Sequence, residues 1–546
     1  MYKHPLVPGP GATKEFVNRL WDRLEEDEKH NVSTWCHSHP TKVSSVCSGL
    51  DAFHLVHDAV SSVVEDHSGK PWRWRSVFSC EKAELKRKCL KALHTILLLF
   101  CDAKDLICGA FAQDDVSGGK KQVPGAEWLV GGFPCTDVSQ LNKSAYTSGT
   151  RNTIRDRSLR TGAVFGNIID YLSSTLVPFC ILENVAALAK VGLDGTCPLR
   201  DCIDMLVEIG YIVQVYQLDA MCFGFPIHRC RLYFICIHKS VVGGRTATEV
   251  QTLLKNTFDR FVGHPLTPLD SFLHPESSTE VRRHYEGLEQ SELEPKTKSS
   301  RSNSWIHRHE AAYEDAGQCW WRQCPALDVH CHPGLRALQK REFDVLEFLY
   351  AVRQNDVGQV AAGAVADLKM AINRQRTSSA SDSSRAIIAE DLPTNCELVP
   401  CCTPSARLFH LNRRRLLLGT EYCWLQGIFY DQEELLKAGR IATEDESPAM
   451  RDPNGSGHLL QDLAGNAFHN PSYAAICLTL LVVISSFESE QRSTRDSSSS
   501  AALPSAAVWE PTSAPAAALA AAQCWPPDDT SSSSSSESDA AFEFEP

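Results

Sequence analysis

A chain of 546 residues, 43% of them hydrophobic, is long enough for a sizeable core and for two to four average domains or one large enzyme with insertions. Its formal charge of −13 excludes a uniformly basic nucleic-acid binder, but residues 487–546 carry −8 of it and the rest only −5, so any phosphate contact must come from local patches. The 22 cysteines lack framework spacing and the first residues lack an apolar leader, which argues against a disulfide-stapled secreted protein and for reduced intracellular thiols.

In chain order, residues 1–42 read as a helical extension with one amphipathic helix, "TKEFVNRLWDRLEEDEKH". From residue 43 to 240, β-rich runs alternate with helical ones: "KVSSVCS", "RSVFSC", "ILLLFCD", "EWLVGGF", "PFCILENV", "YIVQVYQL" and "RLYFICIH". Seven such runs predict an α/β fold with a doubly wound, mostly parallel, Rossmann-like sheet. Ligands of open α/β sheets bind beyond the carboxyl ends of the strands, so the residues there carry the interest. Ser48 and Gly49 follow the first run, Glu81 the second, Asp102 the third, Cys135 the fourth, and Glu183 ends the fifth. Gly49 would let backbone approach a ligand, Glu81 is placed to accept from ribose hydroxyls, and Asp102 could accept from an adenine amine. Ordinary turn and capping chemistry accounts for the same residues. Cys135, directly after Pro134, either presents a thiol to a ligand or packs as a small hydrophobe.

Residues 241–404 read as a smaller inserted recognition region, with polar stretches near 274–304 and 373–385 expected to be solvated insertions. Within it Cys319, Cys324, His330, Cys331 and His332 could gather around zinc, but their spacing fits no strong template, buried thiols against Trp320 and Trp321 are the better expectation, and no metal site is assigned; "CHSH" at 36–39 is weaker still. Residues 405–486 should return to the catalytic domain. The apolar run 473–484 is shorter than the ~20 residues a bilayer needs, so a soluble protein with no membrane partner is expected. Residues 487–546, rich in Ser, Ala and Pro, read as a disordered acidic tail.

Four motifs then stand in order: "GGFPCTDVS", "LENV" with Glu183 48 residues after Cys135, "FGFPIHRCRLYFICI" and "LAGNAF". In content, order and spacing they resemble the cytosine-5 DNA methyltransferases, and "PCTDVS" is similar to the de novo members. The resemblance implies a DNA (cytosine-5-)-methyltransferase that flips its target cytosine out of double-stranded DNA and takes its methyl group from S-adenosyl-L-methionine. It implies that Cys135 adds to C6 of the ring, that Glu183 grips the base, and that Arg229 and Arg231 support both and favour the thiolate. Ser48, Gly49, Leu50, Glu81, Asp102, Pro134, Asn466 and Ala467 would line the cofactor pocket. Lys143, Arg151, Arg155, Arg157 and Arg160 would belong to a loop that closes over the flipped base and meets phosphates. "RRRLLLGTEYCWLQGIF", with Glu421, Leu425, Gln426 and Gly427, resembles the family element preceding the Gly-Asn motif.

The chain departs from the family at Asp51 and Ala52, where glycines are usual and where side chains are expected to limit how close the helix start comes to the cofactor and so to lower its affinity, and at Ile227, where a Gln is usual and loop closure is expected to suffer; Thr136 in place of Gln looks tolerable. Two rival readings remain: a tRNA cytosine-5 methyltransferase of the same fold, against which "PCTDVS" argues, and a catalytically silent DNA-binding homologue, against which the retained Cys135, Glu183, Arg229 and Arg231 argue. A DNA substrate implies the nucleus, and the lack of a recognisable reader module suggests targeting through unidentified partner proteins or loose targeting.

Overall fold

The computed structural model describes residues 6, 8, 9, 11–139, 154–192, 195–293, 305–315, 332–336, 338–355, 365–370, 398–430 and 457–498. The expected seven runs form one sheet. Its strands are β1 (Thr41–Val46), β2 (Trp74–Cys80), β3 (Leu99–Phe100), β6 (Trp128–Gly132), β7 (Phe179–Val185), β8 (Tyr211–Leu218) and β9 (Arg231–His238), with a hairpin of β4 (Phe111–Gln113) and β5 (Lys120–Gln122) between the third and fourth. The order is β3-β2-β1-β6-β7-β9-β8, and only β9 runs against its neighbours. The central strands are apolar on both faces because helices cover both: Leu129, Val130, Ile181, Leu182, Phe234 and Ile235 are all buried. The run "ILLLFCD" gives only a two-residue strand, since Leu99 and Phe100 alone pair with β2.

The N-terminal segment is two helices, Ala12–Trp21 and Glu26–Ser38, not the single one its periodicity predicts. Glu25 starts the second by a capping box, its backbone N–H donating to Glu28 while its own side chain receives the Glu28 backbone. Both helices pack on the long C-terminal helix Asn470–Ser498. The apolar stretch there is longer than the sequence run suggests: Leu459–Glu490 is long and apolar enough to cross a membrane by length and composition, with 83% of its most apolar window buried inside the fold. Its hydrophobicity is satisfied by the helices Ala12–Trp21, Glu26–Ser38, Phe53–Ser68 and Ala247–Phe258.

Part of the stretch expected to be a solvated insertion is ordered. Thr279–Leu293 is a helix, Val281 and His274 are buried, and Glu276 pairs with Arg415. A second, smaller core joins helices Trp305–Asp315 and Lys340–Asn355 to an antiparallel sheet of β10 (Val365–Asp367), β11 (Leu408–His410) and β12 (Arg415–Leu416). That sheet spans residue 404, where the sequence reading ends the inserted region. The polar stretch 373–385, Cys319, Cys324, His330, Cys331 and the acidic tail beyond Ser498 lie outside the described residues, among which no metal-holding cluster occurs.

Candidate active site

β6 ends at Gly132 because Phe133-Pro134 turns the chain out of the sheet, and Cys135 follows, half-buried. Its carbonyl accepts from the N–H of Val138 (3.1 Å) and Ser139 (2.8 Å), closing one turn. Asp137 locks that turn onto the helix Arg160–Thr175: its carboxylate accepts from the Thr161 N–H at 2.7 Å, and its own N–H donates to Thr161 Oγ1 at 3.3 Å. Asn184 Nδ2 donates to the Phe133 carbonyl at 3.0 Å, fixing the turn to the end of β7 as well. Neither Asp137 nor Asn184 was singled out from the sequence, although each lies inside a quoted motif.

Sheet register brings the other groups to this turn. Gly132 sits opposite Glu183, and Val185 opposite Arg231, so the ends of β6 and β7 and the start of β9 share one edge. A side chain at Gly132 would stand 3.0 Å from Phe468 Cε1 and 3.4 Å from Glu183 Oε2, which explains the glycine. Glu183 Oε1 pairs with Arg231 Nε at 3.0 Å, both nearly dehydrated. Arg231 also donates to the Cys230 carbonyl (2.9 Å) and to Cys401 Sγ (3.5 Å). Burial raises the Glu183 carboxyl above the usual range, against the pull of Arg231 and Arg229.

The two arginines do favour the Cys135 thiolate, as expected, but they are outweighed. Burial, then the charge of Glu183, push the thiol up, and Arg231 and Arg229 offset this only in part. Arg229 is also differently employed. Its guanidinium, 2% exposed, donates to the carbonyls of Cys402 (2.9 Å), Gly465 (3.2 Å) and Ala467 (2.5 Å). It therefore clamps two distant segments beneath the site and acts on the other groups only through its charge. Ile227, expected to weaken the loop, is fully buried in the main core, and its neighbours Pro226 and His228 bond to Val399.

The edge expected from the sequence to hold a cofactor lies beside this cluster. A narrow cleft is lined by Ser45, Cys47, Ser48, Asp51, Gly131 and Gly132 on one side and Asn466, Ala467 and Phe468 on the other. The Gly-Asn element thus does reach the end of β1. The loop between β1 and the helix Phe53–Ser68 takes left-handed backbone at Cys47 (φ 57°), Gly49 (φ 55°) and Asp51 (φ 47°). Glu81 accepts from the Gly49 N–H (2.9 Å) and the Ala83 N–H (2.8 Å), so it orders this loop. Leu50 is buried away from the cleft, its carbonyl bonded to His94. Asp102 accepts from the Lys104 N–H, with the ammonium groups of Lys82 and Lys104 3.5 and 3.7 Å away. Asn466 is exposed and bonds Asp462 of its own helix. Asp51, read as a departure, is a buried carboxylate that the sequence reading did not place in the site.

The expected phosphate contacts divide. Lys143 and Arg151 lie outside the described residues. Arg155 pairs with Asp201 and Glu208, and Arg157 forks onto Asp170, so the acids that local sequence lacked arrive from neighbouring helices. Arg160, at the start of its helix, is exposed and has no ion-pair partner among the described residues.

Residues 82–427 match the family model for C-5 cytosine-specific DNA methylase. The chain is 23% identical over 441 residues to the DNA (cytosine-5-)-methyltransferase DMT5 of Cryptococcus neoformans, covering 78% of this chain and 16% of that protein. It is 30% identical over 113 residues to the Type II methyltransferase M.MspI of Moraxella, covering 21% and 24%. Among solved structures, the methyltransferase EhMeth of Entamoeba histolytica aligns with TM-score 0.39 at 9% identity, covering 81% of this chain and 98% of that one. The chain thus spans a quarter or less of the length of either of these curated relatives.

Proposed function

The chain belongs to the C-5 cytosine-specific DNA methylase family, and from that premise we propose that it methylates C5 of cytosine in duplex DNA through a covalent adduct on Cys135. The observation that carries the reading is the convergence of Cys135, Glu183 and the Glu183–Arg231 ion pair at one sheet edge, beside the cleft bounded by Ser48 and Asn466. Aromatic cytosine resists electrophiles at C5, so a thiolate must first add at C6 and push the ring electrons toward C5. Cys135 forms the S–C6 bond. Glu183 holds N3 and the exocyclic amine; its raised carboxyl suits donation of a proton to N3 as charge builds on the ring. Arg231 fixes that carboxyl's rotamer. Once C5 carries the new methyl group, loss of the C5 proton, with the N3 proton returned to Glu183, expels the Cys135 thiolate and restores the aromatic ring.

S-adenosyl-L-methionine would supply the electrophilic methyl group. The residues fit such a group. The cleft is rimmed by the left-handed loop Cys47–Asp51, by Glu81 behind it and by Asn466 and Ala467 opposite, and one carboxylate oxygen of Asp51 is buried without a partner. Ser48, Gly49, Glu81, Asp102, Asn466 and Ala467 are the residues to hold it.

The test is incubation with S-adenosyl-L-methionine and duplex DNA containing 5-fluorocytosine, whose fluorine blocks the last elimination. A denaturation-resistant protein–DNA adduct that requires the cofactor and vanishes in Cys135→Ser is expected. An adduct on tRNA alone would replace DNA by RNA as substrate, and none on either would leave a binding protein without this chemistry.

A further inference from the structure

Asp51 occupies a position that few side chains accept. It is 3% exposed, its backbone is left-handed at φ 47°, and it lines the cleft facing Asn466. One oxygen, Oδ2, accepts from Ser79 Oγ (2.6 Å) and Ser45 Oγ (3.0 Å), and Ser45 Oγ in turn lies 2.6 Å from Ser48 Oγ. Serines are poor strand residues, yet Ser45 and Ser79 sit fully buried within β1 and β2. They form a cage of hydroxyls built around this one carboxylate. The other oxygen, Oδ1, is buried and has no hydrogen-bond partner. Among the described residues no cation pairs with Asp51, while the Glu81 carboxylate stands close enough to disfavour its charge. An orphaned carboxylate oxygen on a cleft wall normally costs about 1–3 kcal/mol or more, so a site that retains it points to a partner arriving from the cleft.

We infer that Asp51 receives a positively charged group of the bound methyl donor and so makes the pocket selective for the cationic donor over its neutral product. The inference rests on the cofactor reading above. S-adenosylmethionine carries one net positive charge at neutral pH, with a sulfonium and an ammonium against one carboxylate; S-adenosylhomocysteine has lost the sulfonium and is neutral overall. With the arriving cation holding Asp51 in its ionised form, a wall formed by Asp51 with Glu81 behind it favours the former through long-range attraction and through direct contact at Oδ1. Selectivity of this kind would relieve product inhibition.

The experiment is titration calorimetry of the full chain with S-adenosylmethionine and with S-adenosylhomocysteine, for the native protein, Asp51→Asn and Asp51→Gly. Both replacements tolerate a left-handed backbone, and the Asn keeps the side-chain shape, so the variants should fold; circular dichroism checks this. We expect both to weaken S-adenosylmethionine binding at least about tenfold, which corresponds to ~1.4 kcal/mol. A loss confined to S-adenosylmethionine assigns the contact to the sulfonium. A loss for both ligands larger for the donor assigns it to the ammonium plus the wall's net charge. Equal or tighter donor binding by Asp51→Gly overturns the inference, as does an equal loss for donor and product. Failure of the native protein to bind either ligand overturns the cofactor reading itself, and this inference with it.

Discussion

The Cys135 thiol and the Glu183 carboxyl are both pushed up by burial, and the Glu183 charge raises the thiol further. Cys135 must be deprotonated to attack, and a thiol held above its ordinary value gains thiolate as pH rises through and beyond the usual thiol range of about 8.5. The rate of adduct formation on 5-fluorocytosine DNA should therefore still be climbing at pH 9; a plateau by pH 7.5 would contradict the thiol's placement. Glu183→Gln removes the neighbouring charge and so lowers the thiol, yet it should slow adduct formation by about 10²–10³-fold, because the group that stabilises the ring's developing charge is gone. Asp51 offers a second pH signature, this one in stability. Burial raises it to about 7 in the folded protein against about 3.9 in an unfolded chain, with the hydroxyls of Ser79, Ser45 and Ser48 pulling the other way and the Glu81 and Tyr473 side chains as its charged or titratable neighbours. The folded state then holds a proton that the unfolded state has released between those values, so this contribution is full below pH 4 and is lost as pH rises to 7. The thermal midpoint of the ligand-free protein should fall across that interval, and Asp51→Asn should flatten the fall.

Between elements, Arg229 does the most connecting. It ties the start of β9 to the carbonyl of Cys402 and to two carbonyls at the end of helix Gly457–Asn466, segments more than 170 positions away. Arg229→Met should lower stability by several kcal/mol, since three buried carbonyls lose their donor at about 1–3 kcal/mol each; denaturant midpoints measure it. Donor affinity should fall too, because Ala467 lines the cleft. The helix Arg160–Thr175 gives a contrasting case on the side proposed to meet DNA. Arg160→Ala should reduce the salt dependence of DNA binding by roughly one phosphate's worth, whereas Arg157→Ala, whose guanidinium is neutralised by Asp170, should change it less. These differences mark what sequence can and cannot tell. The seven strands, the position of Cys135 after Pro134 and the strand-end acids were legible because apolar runs and turn residues are local signals. The pairing of Arg155 with Asp201 and Glu208, the clamp made by Arg229 and the serine cage around Asp51 were not, because each joins residues whose proximity only the sheet order creates.

Over the whole molecule, the two ends of the folded chain pack together against the helices Phe53–Ser68 and Ala247–Phe258. Residues 1–42 read from sequence as an extension, but Val17, Leu20 and Trp21 are fully buried and belong to the same core as Tyr473–Leu481 of the C-terminal helix. Polar ties reinforce that packing: Trp35 Nε1 donates to Glu488 at 3.1 Å, Arg23 donates to the carbonyls of Arg260 and Val262, and Arg260 forks onto Glu28 with both bonds at 2.7 Å. The long helix is apolar enough around its girth that it stays in water only while those helices cover it. Asn466 and Ala467 precede it by one turn, so its seat also sets one wall of the cleft proposed to take the methyl donor. Trp21→Ala should therefore cost about 3–5 kcal/mol as a core truncation, and it should weaken donor binding by loosening the seat of the long helix. Deleting residues 1–38 should do more, leaving a protein that associates or precipitates. Light scattering and donor titration on the two variants decide the matter. A monomeric deletion variant with native donor affinity would mean that the N-terminal helices form a separable module, and that the long helix is held in place by the sheet side alone.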